Sequence, residues 1–456
     1  MRSISRLAPT NLEIGSIAMA QTTEAACLLQ SGAMYPRRIG FQRSNGEDIL
    51  VGVKPGGVSL YFGDAPIYHF DLDGRWQRAF IDGVHYLKGL DTAVQSIDRE
   101  REAGRMVLRR KTLPFGQAVD LDASIRSVGL DLIDDLDSDR LRILEPPSGV
   151  KLLSLEDFRS FLERITDWDS TAWFAHRERY LGTYGPLPFL PPDCPNALVL
   201  QATLGHLDGK AFGRAKPSEH YVRSLPQFEE HVQTVSKLIG RRISQFNAVF
   251  LAGADVLNRP AEDLLGDFEI IGRLLPMGPM GIPLGEGWDD SSVSLRTIHA
   301  FLDDPVQPLP DLPTLTKLAG LHLGRVTIGV ESGSPAIRAS YGKSWNDEAL
   351  QELVGNLQQA RINVGLMVLV GAGGQRMDGS HQETTTSLIE SLNLGPNDLI
   401  TLIDARSLDQ APPEGLEPLS EEQVTAQVAA LKTRWSTARP SKGAKVVVYN
   451  LDKQAR

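Results

Sequence analysis

From Pro195 onward, apolar and polar positions alternate in blocks. Short apolar runs at 197–202, 248–252, 293–301, 325–330, 363–370 and 399–403 are separated by stretches of helical periodicity at 227–239, 261–275, 312–321, 347–360 and 381–392. Near-continuous apolar strands joined by amphipathic helices predict a parallel sheet covered by helices. Six such units point to a partial (β/α)6 barrel of the TIM type, although a doubly wound sheet fits the string nearly as well. Upstream the texture is different. Residues 40–113 alternate with a period of two, and Asp73-Gly74 and Pro55-Gly56-Gly57 mark hairpin turns between 48–53, 58–62, 67–72, 75–80 and 106–112. Residues 117–136 read as helix. A further helix opens at Ser154, its expected N-cap, with Leu155, Phe158, Phe161, Leu162 and Ile165 on one face. The fold class predicted is therefore α/β, a partial barrel preceded by a smaller β-rich module. The expected divisions are a loose leader (1–36), the β-rich module (37–115), a helical connector (116–190), the barrel (191–410) and a C-terminal helix and tail (411–456). Five prolines between 186 and 195 suggest a stiff linker or a collar.

Composition narrows the function. With 41% hydrophobic and 23% charged residues the 456-residue chain has enough apolar material for two or three cores. Its 47 basic and 57 acidic residues give −10, which makes nucleic acid an unfavoured partner. No apolar run is long enough to span a membrane, and Asn11, Glu13 and Gly15 interrupt any secretory h-region, so a cytoplasmic location is expected. Cys27 and Cys194 are the only cysteines. They are too few for a disulfide framework or for a thiolate-held iron–sulfur cluster.

In either α/β arrangement ligands bind beyond the carboxyl ends of the strands. Three strand ends carry candidate chemistry. Phe250-Leu-Ala-Gly-Ala-Asp-Val-Leu257 offers Gly253, for close backbone approach, and Asp255, for an ammonium or hydroxyl group; the plainer reading of Asp255 is a helix cap. Val330-Glu-Ser-Gly-Ser334 places Glu331 at a barrel mouth, or else in a core ion pair. Val370-Gly-Ala-Gly-Gly-Gln375 supplies Gly371, Gly373 and Gly374, whose spacing fits neither a P-loop nor a dinucleotide fingerprint. His206, Asp208 and His381 lack the spacing of a metal site, so no metal is expected. The aromatics around Tyr61, His69 and His85 read as core or as a pocket lining, and no Ser-His-Asp signature is present.

These three strand ends, in this order, resemble the core of the radical S-adenosylmethionine (SAM) superfamily, whose members carry FLADGDAL-, GLESG- and VLLGLGG-type segments here. The resemblance covers 197–407, under half of the chain. It implies a partial barrel binding SAM, with Gly253 and Asp255 beside the methionine amino group, Glu331 near the ribose, and Gly371, Gly373 and Gly374 near the adenine or sugar. It also implies a 4Fe–4S cluster held by a C-x3-C-x2-C-type motif after the first strand. There this chain reads Thr203-Leu-Gly-His-Leu-Asp-Gly-Lys-Ala-Phe-Gly-Arg214. His206, Lys210 and Gly213 occupy the cysteine positions, and shifting the second one reaches only Ala211. An ammonium and a bare glycine do not ligate iron. The expectation is a radical-SAM-like protein with a degenerate cluster motif that binds a small polar ligand, SAM among the candidates, in a binding or regulatory role, with another protein as a conceivable partner. The alternatives are a non-radical enzyme using the same mouth and a radical enzyme with atypical cluster ligation. No catalytic residue is assigned.

Overall fold

The structure is a computed structural model, and it describes residues 37–54, 56–102, 105–145, 151–185, 190, 192–205, 220–253, 256–278, 295–304, 309–408, 413, 415–438 and 443–450. Residues 1–36 with Cys27, Asp255, and the loop holding His206, Asp208, Lys210, Ala211, Gly213 and Arg214 lie outside them.

The N-terminal part is a meander. Strands β1 (Arg37–Arg43), β2 (Asp48–Lys54), β3 (Gly57–Phe62), β4 (Ile67–Phe70), β5 (Trp76–Ile81), β6 (Val84–Lys88), β7 (Val94–Glu102) and β8 (Arg105–Thr112) pair antiparallel in sequence order. Strands β9 (Leu141–Leu144) and β10 (Lys151–Leu152) both add to β1, β10 in parallel. One face of the sheet is covered by α1 (Phe115–Asp137), α2 (Leu155–Thr166) and α3 (Ser170–Thr183), which share a core with Phe41, Leu60, Phe70 and Trp76. Ser154 does cap α2, accepting the Asp157 N–H at 3.0 Å. Helix α3 lacks a clean apolar stripe and escapes the sequence pattern. Its buried Trp173 stacks the Lys88 ammonium at 4.0 Å, and Lys88 pairs with the buried Asp122 at 2.7 Å.

The second sheet has seven parallel strands: β11 (Ala197–Gln201), β14 (Ala248–Ala252), β15 (Ile298–Leu302), β16 (Leu323–Glu331), β17 (Asn363–Val370), β18 (Leu399–Asp404) and β19 (Lys445–Tyr449). Between the first two, β12 (Thr203–Leu204) and β13 (Tyr221–Val222) form a two-residue antiparallel ladder at the base of the 206–219 loop. The strands run side by side in chain order without reversal. Because crossovers between parallel strands are right-handed, a monotonic order puts every connecting helix on the same face, whereas a doubly wound sheet reverses direction. Those helices are α4 (Leu225–Ile239), α5 (Ala261–Leu274), α6 (Leu312–Gly320), α7 (Pro335–Ser340), α8 (Asp347–Gln359), α9 (Gly374–Ser391) and α10 (Glu421–Ala438). Two corrections to the sequence pattern follow. The third strand starts at Ile298 and runs to Leu302, later than the apolar run from Val293 suggests, and Lys445–Tyr449 is a seventh strand rather than tail.

The two units meet through buried polar contacts. Arg75, at the start of β5, pairs with Asp71 at 2.6 Å and donates to the last carbonyls of α4, Leu238 O at 2.8 Å and Ile239 O. Orphan carbonyls at a helix C-terminus favour such a cation. Among the described residues no helix is long and apolar enough to cross a membrane.

Candidate functional site

Parallel topology places the ends of β14, β15, β16 and β17 along one rim, with adjacent strands ~4.8 Å apart. Gly253 follows β14. Its φ is +136°, and an added Cβ would lie 2.0 Å from Thr203 Oγ1, so only glycine lets these two strand ends approach. Asp303 and Asp304 follow β15. Glu331 closes β16 with φ +54°, a left-handed conformation that is uncommon for a non-glycine residue and concentrates at functional sites. Gly329, two residues earlier, makes room for both acids: a Cβ there would meet Asp303 O at 2.9 Å and Glu331 Oε1 at 3.0 Å.

These carboxylates surround one buried lysine, supplied by the turn after α7. Lys343 Nζ donates to Asp303 Oδ1 at 2.5 Å and to Asp303 O at 2.7 Å, and faces Glu331 Oε1 at 3.2 Å. Asp304 instead accepts from the Ser344 N–H and hydroxyl, at 3.1 and 3.0 Å. Glu331 is 1% exposed, and neither of its oxygens receives a hydrogen bond among the described residues. Burial pushes its pKa up to about 8, with the charges of Asp303 and Asp304 adding to the rise against the pull of Lys343. For Lys343 burial favours the neutral amine, but Asp303 and Glu331 outweigh it and the ammonium is held above the ordinary lysine value. Tyr341 is nearby, its phenol pushed up to about 12 by burial and by Glu331. Below about pH 8 Glu331 is thus held mainly as the neutral acid, and Asp303 and Asp304 carry the negative charge beside the ammonium.

The turn after Glu331 is locked to α9. His381, fully buried, is held neutral by burial with a pKa near 4, and its Nδ1 shares a hydrogen bond of 2.8 Å with the Ser332 hydroxyl. The Ser334 N–H donates to Ser332 Oγ, and the Gly333 N–H to Thr385 Oγ1. Arg338 binds the Gly333 carbonyl at 3.0 Å and stacks on Trp345. His381, considered above as a metal-ligand candidate, thus orients this turn.

The three remaining glycines are met by the chain itself. The Gly371 N–H donates to Gln427 Oε1 of α10 at 2.5 Å, a Cβ on Gly374 (φ +55°) would lie 2.5 Å from Glu417 O, and one on Gly373 2.7 Å from Met377 O. The Gln375 N–H also donates to Glu417 O, at 2.8 Å. The structure therefore brings Gly253 and Glu331 onto one rim with Asp303, Asp304 and Lys343, while Gly371 and Gly374 receive the 415–427 segment and Gly373 packs on the first turns of α9. Sequence reasoning missed Asp303, Asp304 and Lys343. The paired aspartates directly after an apolar run were the available signal; Lys343 had none.

The fit of cofactors can be judged from these donors. The cluster ligands a radical SAM barrel needs are not in the sequence: no cysteine follows Cys194. Cys194 itself is 1% exposed in the core ahead of β11, its thiol pushed up to about 12 by burial and by Asp193, which disfavours the thiolate that binds iron.

No family model matches the chain, and no curated protein does. The structural neighbours are radical SAM enzymes. Coproporphyrinogen III oxidase (HemN) from Escherichia coli is 11% identical with a TM-score of 0.38, over 59% of this chain and 56% of that one. HydG, a maturase of the FeFe-hydrogenase, is 13% identical with a TM-score of 0.35, over 72% and 66%. TsrM, a radical SAM methyltransferase from Kitasatospora setae, is 12% identical with a TM-score of 0.31, over 45% and 36%. The chain thus spans about half the length of the Escherichia coli enzyme and about a third of TsrM.

Proposed function

We propose that the seven-stranded sheet is a partial barrel of the radical SAM type whose acidic rim binds a small, positively charged polar ligand, S-adenosylmethionine being the first to test, in a binding or regulatory role without a thiolate-held cluster. One observation carries this reading: Asp303 and Glu331 converge on a single buried ammonium with Asp304 beside them, and Glu331 meets no donor among the described residues other than that ammonium, 3.2 Å away. Buried carboxylates without donors are costly, by about 1–3 kcal/mol or more each, and a ligand bearing ammonium, sulfonium or hydroxyl groups offsets that cost. The residues' task is to bind and orient. Glu331 accepts from the ligand, Asp303 fixes Lys343, and Gly253 lets backbone approach. The sulfur-free sequence of 203–214 supports a role apart from reductive SAM cleavage, because electrons reach the sulfonium through a cluster with thiolate ligands.

Calorimetric titration tests the reading. SAM is expected to bind more tightly than S-adenosylhomocysteine, which lacks the sulfonium charge, and Glu331→Gln is expected to weaken SAM tenfold or more. Absence of saturable binding, or unchanged affinity in Glu331→Gln, overturns it. Anaerobic reconstitution with iron and sulfide tests the cluster separately: a full complement of four irons per chain would show that other ligands replace the thiolates.

A further inference from the structure

We propose that the cavity between the N-terminal sheet and the amino-terminal ends of β11 and β14 is a second binding site, for a small organic anion with an aromatic body. The cavity measures about 530 Å³, a size typical of small-molecule sites. Arg78, Lys88, Arg110 and Arg242 line it, and among the described residues no aspartate or glutamate does. Lys88 is committed to Asp122. The side chains of Arg78, exposed in β5, and Arg242, in the 3-10 turn Gly240–Gln245, make no hydrogen bond or ion pair among the described residues.

The two guanidinium groups act on one another. Burial brings Arg242 down to about 10; Arg75 and Arg78 add repulsion, while Asp71 pulls the other way. Arg78 also depresses His69, whose pKa falls to about 4 through burial and the charges of Lys54, Arg78 and His85. Asp71 reaches Arg242 from outside the lining, and the like charges around the shared void, with no carboxylate among its described lining residues, make it a place where an anion adds counter-charge. Planar guanidinium groups recognise phosphate and carboxylate in bidentate fashion. The rest of the wall suits an aromatic body: Tyr180 and Tyr184, rings 5.2 Å apart, with Phe246 and Leu198. Gln77 and Gln245 close one side through a 3.0 Å hydrogen bond between the two units. This site shares no residue with the acidic rim, so the outcome of a SAM titration does not bear on it.

Phenyl phosphate serves as the probe, titrated calorimetrically into the full chain at low salt, about 20 mM, where screening is weak. Inorganic phosphate and phenol separate the charge from the ring. Phenyl phosphate is expected to bind saturably, at about one per chain, and at least tenfold more tightly than either fragment. Arg242→Gln and Arg78→Gln are each expected to weaken it tenfold or more. Neither variant should lower the unfolding midpoint of the ligand-free chain, because each removes a repelling charge. Arg241→Gln, at the exposed neighbour that pairs with Asp73, is expected to leave affinity unchanged. The proposal is overturned by non-saturable binding, by full affinity in Arg242→Gln, or by an equal loss in Arg241→Gln.

Discussion

Replacing Lys343 by methionine probes the rim most directly. The ammonium sits 2.5 Å from Asp303 Oδ1 and 3.2 Å from Glu331 Oε1. At an effective dielectric of about 20 these separations correspond to roughly 7 and 5 kcal/mol of attraction. Desolvation of three ions in a site where Lys343 and Glu331 are nearly inaccessible offsets most of it. What survives is the asymmetry: methionine leaves Asp303 without its cation and drives Glu331 further toward the neutral acid, and breaking a buried pair in this way costs about 3–5 kcal/mol. Glu331→Gln is the opposite perturbation. It keeps shape, leaves the Asp303–Lys343 pair intact, and should change stability by about 1 kcal/mol or less near pH 6. The pH dependence separates the two further. Glu331 has its proton affinity raised in the folded chain, to about 8 from an ordinary 4.5, so the folded state binds more protons than the unfolded state between those values. Its contribution to stability is therefore present at low pH and is lost as pH rises through about 8. Glu331→Gln lacks this limb, and the gap between variant and wild type should widen in favour of the variant on going from pH 6 to 8.5. Urea unfolding followed by the fluorescence of the buried Trp345 and Trp435 measures both effects. A loss under 1 kcal/mol in Lys343→Met, or a gap that does not move with pH, refutes the assignment of a charged, donor-poor rim.

Three further outcomes are expected. Gly253→Ala forces a Cβ to 2.0 Å from Thr203 Oγ1 at φ +136° and should destabilise the chain by about 3 kcal/mol or more, seen as a lowered urea midpoint; a neutral result would show that the β11 and β14 ends separate freely. Arg75→Met strips the buried Asp71 of its partner and uncaps α4, so calorimetry should show melting falling by the equivalent of about 3–5 kcal/mol; unchanged melting would contradict a clamp between the units. Burial lowers His69, His176, His231, His299 and His381 to about 4, 3, 3, 4 and 4, so the unfolded chain, with histidines near 6.5, binds more protons below that pH. Stability should fall as pH drops from 6.5 toward 4, even though Asp267 and Glu331, raised to about 7 and about 8, oppose the trend; a flat near-ultraviolet dichroism midpoint over that range would contradict it.

The parallel strands were legible because burial on both faces writes an uninterrupted apolar run. Ala248–Ala252 and Asn363–Val370 lie where the pattern puts them, and the first is buried at every position. The charged hairpin was only half legible. Val94–Glu102 carries five charged residues and holds its place by pairing along the whole of Arg105–Thr112, with Asp98 opposite Arg109, an interaction no single segment displays. Lys445–Tyr449 is short and becomes a strand because β18 offers an unpaired edge. At the site, Glu331 and Gly253 were visible through position at strand ends. Asp303 and Asp304 were not, because the apolar run from Val293 directs attention to a strand that in fact begins five residues later, at Ile298. Lys343 reaches the rim from twelve residues beyond Glu331, a separation set by the length of α7 and not by any periodicity.

The rim is chemically divided, and the division constrains what it can hold. On the β17 side, backbone donors that a ligand could use are taken: Gly371 N–H by Gln427, Gln375 N–H by the Glu417 carbonyl. Gln427 is in turn held by Asp378 of α9, so opening this side means breaking a connected set of hydrogen bonds along with the packing of Leu419 and Val424. On the β15 and β16 side the balance is reversed, with acceptors in excess and donors short. On the proposed reading a ligand gains most where it supplies what the protein lacks, which puts its cationic and hydroxyl groups beside Asp303 and Glu331. An adenine-sized ring placed against Gly371–Gly374 would have to displace the chain's own C-terminal segment. Gly371 and Gly374 therefore account for how close that segment comes, and under the proposed function the selectivity of the rim would rest on its carboxylates.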